Sequence, residues 1–115
     1  MSNLYEILQK IKQRPALYLG KRSLSHLQVF LDAYTFARRE LGIEVTEQER
    51  EFEDFQEWVE RRFNQPDTQS WSRIILFYSE DESEALDKFF ELFQNFLQHN
   101  NSSGVNEIAH VKSGV

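Results

Sequence analysis

The chain has 115 residues, 40% hydrophobic and 28% charged, with a formal net charge of −6 and no cysteine. That length holds one core and excludes two ordinary domains, while ten phenylalanines set the chain apart from disordered compositions. The missing cysteines exclude disulfides, thiolate catalysis and Cys-based zinc sites together.

The N-terminal "MSNLYEILQKIKQR" is amphipathic and lacks the apolar core of a signal peptide. No later run approaches the ~18 apolar residues of a membrane span, so a soluble, cytoplasmic protein without a membrane partner is expected. Asn3 caps a first helix with Glu6 at its third position, and Leu4, Ile7, Leu8 and Ile11 fall on one stripe. Pro15 stops that helix, because the residue before a proline is pushed out of helical geometry.

"QRPALYLGKRS", residues 13 to 23, reads as a connector. Gly20 permits a sharp change of direction, Ser23 opens the next helix, and Leu17, Tyr18 and Leu19 are expected to plug the core, with Lys21 and Arg22 left free. The helix after Ser23 carries Leu24, Leu27, Leu31 and Tyr34 on one side, with Phe30, Ala33, Ala37 and Leu41 beside them, and ends at Gly42.

"TEQE", residues 46 to 49, is a capping box opening a third helix. Phe52, Phe55, Val59 and Phe63 share one face with Trp58 at its edge, and Glu47, Arg50, Asp54, Glu57 and Arg61 lie opposite. A polar loop follows at residues 64 to 70, and then "WSRIILFYS" fits either a strand or a short buried helix. A lone strand has no ladder partner in this chain, which favours helix. "SEDE", residues 79 to 82, reads as a second capping box, and the helix it starts carries Ala85, Leu86, Phe89, Phe90, Phe93, Phe96 and Leu97 on its apolar side.

Periodicity ends at His99. The expected architecture is therefore all-α: a compact bundle of about five helices forming one domain over residues 1–99, with a flexible, disordered C-terminal tail over residues 100–115.

No catalytic constellation stands out. His26, His99 and His110 are isolated from any metal-ligand spacing and from a nucleophile elbow, and the glycines are scattered singly. No catalytic residue, cofactor or metal is assigned, and a non-enzymatic protein is expected.

Charge is bipolar. Residues 1–43 carry seven Lys/Arg against three Asp/Glu, or +4, whereas residues 44–115 carry six against sixteen, or −10. Such an acidic surface repels nucleic acid and steers a basic protein toward it.

Two resemblances bear on function. "KQRPALYLG", residues 12 to 20, is similar to the Arg-Pro-Gly-Met-Tyr-Ile-Gly segment of the gyrase-type ATPase domain. That family needs an Asn on the following helix and later Gly-rich motifs; here Asp32 alone takes a comparable place, which sets ATPase chemistry aside. The order "RPALYLG", "SLSHLQVFLDAY", "FQEWVERRF", a Trp with an apolar segment, and "EALDKFFELFQNFL" resembles small bacterial proteins associated with polymorphic toxins. These include immunity proteins of contact-dependent growth inhibition systems.

That resemblance implies an acidic inhibitor that blocks a cognate toxin, often a basic nuclease, by occlusion. Glu47, Asp54, Glu57, Glu80, Asp81, Glu82 and Glu84 are the expected partner-binding residues, occupying a basic groove. The alternative is a helical adaptor or regulatory protein, self-associating through an exposed aromatic such as Trp71 or Tyr78.

Overall fold

A computed structural model describes the backbone of residues 3–65 and 69–113, and the side chains of those residues as far as 102. All of its regular structure is helical among the described residues: α1 Leu4–Gln13, α2 Pro15–Leu19, α3 Leu24–Glu40, α4 Glu47–Glu53, α5 Phe55–Arg62, α6 Trp71–Phe77 and α7 Glu82–Ser113. With α4 and α5 taken as one bent helix and α2 as a single turn, the bundle is the five-helix arrangement expected.

α1 starts where Asn3 Oδ1 accepts from the Glu6 N–H at 2.9 Å, and buries Leu4, Leu8 and Ile11. Pro15 ends α1 and also begins α2, occupying the first turn, where its missing N–H costs nothing. Gly20, at φ +84°, closes α2 in the left-handed region. Only Pro15 and Leu19 of this turn are buried; Leu17 is 64% exposed and Tyr18 40%. The expected three-residue plug is thus a single leucine, because a one-turn helix can direct only one edge inward.

α3 begins at Ser23, whose Oγ accepts from the His26 N–H at 3.1 Å. It ends in a Schellman motif: the Ile43 N–H donates to the Arg38 carbonyl and the Gly42 N–H to that of Arg39, with Gly42 at φ +69°. α5 ends the same way around Asn64, at φ 53°, with Gln65 and Asn64 donating to the carbonyls of Glu60 and Arg61.

The capping box of α4 forms as read, with Thr46 and Glu49 bonded reciprocally. The helix it opens is not continuous. At Asp54 the backbone N–H bonds to the Glu51 carbonyl, three residues back, and the chain turns before resuming as α5. The bend lets Phe52 and Phe55, stacked with centroids 5.4 Å apart, both meet the aromatic row of α7.

"WSRIILF" is helical, capped by Ser70 and burying Trp71, Ser72, Ile74 and Ile75. The cap of α7 sits two residues later than "SEDE" suggested: the Asp81 carboxylate accepts from the Glu84 N–H and the Asp81 carbonyl from the Ala85 N–H. Asp81 thus outcompetes Ser79, whose hydroxyl donates instead to the Ile75 carbonyl at 2.7 Å.

α7 is the axis of the molecule, packed by α3, α5 and α6. It buries Ala85, Leu86, Phe89, Phe90, Leu92, Phe93 and Phe96. Phe55, fully buried, meets the rings of Phe52, Trp58, Trp71, Phe89, Phe93 and Phe96 with centroids between 5.3 and 6.0 Å. Edge-to-face pairs of this kind add about 0.5–1.5 kcal/mol each beyond area burial. The helical backbone runs past residue 100 to Ser113, while the side chains of the expected tail beyond residue 102 lie outside the described residues.

Candidate functional site

Two side-chain networks tie α7 to its neighbours, one at its first turn and one at Asn100. At its start, Glu82 accepts from the Ser25 N–H at 2.8 Å, the Ser25 hydroxyl at 2.6 Å and the Ser23 hydroxyl at 3.1 Å. Burial of this carboxyl works to raise its pKa. The bonds from Ser25 and Ser23, with the charge of Lys21, outweigh it and hold the pKa below the usual carboxylate range. Further along the helix, Asn100 donates to Glu51, which also accepts from the Tyr5 hydroxyl at 2.5 Å.

These anchors place the expected partner-binding acids. Glu47, Asp54 and Glu57 are exposed on the α4–α5 helix; Glu80 and Asp81 are exposed at the start of α7, with Glu84 partly so. Glu82 and Asn100 are 18 residues apart on one helix, and at 1.5 Å per residue that is about 27 Å. The acids form two patches on separate elements, one on α4–α5 and one at the start of α7. Glu82 belongs to neither, because its oxygens are bound to α3. Glu57 has Arg61 at 4.0 Å and Glu84 has Lys88 at 3.9 Å, both loose surface pairs.

Arg22 does not stay free. Its guanidinium donates to Asp87 and to Ser83 Oγ, fastening the connector to α7. Trp71 is 7% exposed and closes the core, so it offers no self-association surface, whereas Tyr78 is 41% exposed.

A site that sequence reasoning missed lies between α3 and the α4–α5 helix. α3 packs on α6 and α7, and α4 on α1 and α5, rather than on each other. The divergence leaves a cleft of about 530 Å³ floored by Leu4, Leu31, Phe52 and Trp71. One wall is the Gln28, Asp32, Thr35 and Arg39 edge of α3, and the other is Glu49, Glu53 and Gln56. Ile43 and Val45, in the loop that joins the helices, close one end.

Arg38 spans the cleft: its guanidinium meets Glu49 at 2.7 Å, donates to the Glu44 carbonyl at 3.2 Å, and lies 5.4 Å from the centre of the Tyr34 ring. Burial raises the Glu49 pKa, but the bonds from Arg38 and Thr46 bring it below the ordinary value. Two covered atoms of the walls, Arg38 Nε and Gln28 Oε1, have no protein partner. The signal available in sequence was the polar flank of α3 next to Leu31; that its facing helix diverges was not encoded locally.

His26 Nδ1 is 2.8 Å from the Leu19 carbonyl, where it satisfies the end of α2. His99 lies beside Trp58, Arg61 and Arg62 in a shallow recess, and the side chain of His110 is outside the described residues. Among the described residues no group of three or more His, Asp or Glu could hold a metal ion, and no helix is long and apolar enough to cross a membrane. No protein-family model, curated protein or solved structure matches this chain.

Proposed function

We propose that the protein is a non-enzymatic binding protein that engages a basic protein partner through its acidic helices, and that it acts as an immunity protein blocking a cognate bacterial toxin. The observation that carries this reading is the excess of carboxylates over cations on two elements. Residues 47–62 hold seven Asp/Glu against three Arg, and residues 80–91 hold six against Lys88 alone. Potentials of this sign raise the encounter rate with a basic surface and keep nucleic acid away. A basic nuclease groove, shaped to hold phosphates, is complementary to such patches, and occlusion needs no chemistry from the inhibitor.

Co-expression provides the test. A toxin gene must then lie beside this protein's gene, and the C-terminal domain of its product is induced with and without this protein; a neighbourhood without such a gene counts against the reading. Rescue of growth, lost when Glu47, Asp54 and Glu57 are all reversed to Lys in a protein that still folds, supports the reading. Growth arrest that the wild-type protein leaves unrelieved, with no complex recovered at low salt, overturns it.

One observation favours a second reading, self-association as an adaptor. Val29 and Phe36, seven residues apart on the outer face of α3, are 66% and 62% exposed, and Phe77 is 78% exposed. Sedimentation over a range of concentrations separates the two, since an adaptor of this kind gains mass as it is concentrated.

A further inference from the structure

We propose that the cleft between α3 and α4–α5 is the anchor site for the partner: it takes a basic segment that carries a leucine- or phenylalanine-sized side chain. This deepens the reading above and rests on it for the sign of the partner's charge.

The cleft has the makings of an interface centre rather than a packing defect. Its floor is apolar, with Leu4, Leu31 and Trp71 almost fully buried and supported by the core, so it is rigid. Its volume of about 530 Å³ lies inside the ~300–1,000 Å³ range of sites that hold a bound group. The apolar surface also continues outward. Leu41, Ile43 and Val45 in the closing loop are 75%, 41% and 45% exposed, which leaves apolar side chains available beside the cleft. A few side chains seated in well-packed, desolvated pockets supply most of the energy of protein interfaces.

Charge decides the occupant. Asp32 and Glu53 stand on the two walls, and Glu40, Glu44 and Glu47 are exposed on the chain segments that bound the closed end. Arg38 is neutralised across the cleft by Glu49, which leaves Arg39 as the exposed cation of the lining. A segment with Lys or Arg on either side of its anchor is complementary to this rim. A second copy of this chain, at −6, is repelled by it.

The test is a titration of the isotope-labelled full-length protein, followed by amide NMR, with three synthetic peptides. One is an amphipathic Leu/Lys sequence, one has every Leu replaced by Ser, and one has every Lys replaced by Glu. The Leu/Lys peptide is expected to saturate with shifts centred on Thr35, Val45 and Phe52. Thr35→Trp fills the cleft from an exposed position on α3, and it is expected to weaken that peptide at least about tenfold, the loss of one anchor contact. Glu53→Lys is expected to weaken it several-fold at low salt and much less at high salt.

Equal binding of the Leu/Lys peptide to wild type and Thr35→Trp overturns the proposal, as do shifts confined to other surfaces. Equal binding of the Leu/Glu peptide overturns the charge assignment. A wild-type dimer that Thr35→Trp dissolves makes the occupant a second copy and overturns it as well. The Ser/Lys peptide separates the two readings: salt-sensitive shifts on α4–α5 or the start of α7 support the acidic faces whatever happens in the cleft. A Leu/Lys peptide that seats in the cleft while Ser/Lys perturbs nothing supports the anchor and counts against the faces.

Discussion

Glu82 and Ser25 join the first turns of α7 and α3 through two hydrogen bonds to one carboxylate, from the Ser25 N–H at 2.8 Å and from its hydroxyl at 2.6 Å. The carboxylate thereby satisfies a backbone donor that the start of α3 would otherwise leave to solvent. Bonds to a charged acceptor contribute more than neutral ones. Glu82→Gln is therefore expected to cost about 1–2 kcal/mol in urea denaturation, and Glu82→Ala more, since it leaves the donors of Ser23 and Ser25 without that acceptor.

Acid should weaken the fold through the same group. The pKa values of Glu82 and Glu49 both lie below the ordinary 4.5 in the folded protein. A carboxyl depressed by folding contributes stability that is complete above its unfolded value and is lost as pH falls through its folded value. Stability measured by urea midpoint should thus hold steady down to about pH 4.5 and decline below it, and the decline should be shallower in Glu82→Gln. A midpoint that does not move between neutral pH and the acid range would count against both assignments.

Tyr5 makes the opposite kind of tie. Burial raises the pKa of its hydroxyl, and the bond and charge of Glu51 raise it further, well above the usual range. A group raised on folding contributes stability that is complete below its unfolded value of 10.0 and is lost as pH climbs above it. Tyr5→Phe keeps the edge contact with Phe93, whose ring centre is 5.2 Å away. It should cost about 1–2 kcal/mol at neutral pH and remove this alkaline loss; a spectrophotometric titration in which wild type minus Tyr5→Phe shows a fourth phenol ionising near pH 10.0 would refute the contact.

Local chemistry made the helices legible. Asn3, Ser23 and Thr46 cap where their side chains suggested, and the apolar periodicity of residues 85–97 is the core face of α7. What failed was competition between neighbours and between distant elements. Asp81 took the α7 cap from Ser79, Arg22 found Asp87 across 65 residues of sequence, and Glu82 was drawn inward by Ser25. The acidic patches were readable as a count of charges, but the withdrawal of Glu82 from the second of them was not. The cleft was invisible because it exists only where two helices fail to pack, which no single stretch of sequence records.

Arg38 and Glu49 allow that cleft to be probed without a ligand. Their side chains are 15% and 13% exposed, so the pair is mostly removed from water. Removing one member of a buried pair leaves its partner's charge uncompensated, which costs about 3–5 kcal/mol in fully buried cases. Arg38→Met is expected to cost somewhat less, about 2–3 kcal/mol, because the Thr46 N–H and hydroxyl still donate to the Glu49 carboxylate. The double variant Arg38→Met, Glu49→Met should recover most of that loss in thermal denaturation, whereas additive losses would mean that the two residues do not act as a pair.

The acidic patches should be separable in binding, since they lie on different elements, α4–α5 and the start of α7, and sites without shared partners act nearly independently. Reversal of Glu47, Asp54 and Glu57 to Lys should slow association with a basic partner at least about tenfold at low salt, because these exposed acids are on the helix that forms one wall of the cleft. Reversal of Glu80 and Asp81, at the start of α7, should have a smaller effect if the partner seats on the cleft side. Both effects should shrink as ionic strength approaches about 1 M, where screening acts over roughly 3 Å. Stopped-flow rates across a salt series measure this directly. A larger loss from the Glu80 and Asp81 pair would move the interface to the start of α7, and losses that persist at high salt would replace steering with direct contact as the cause.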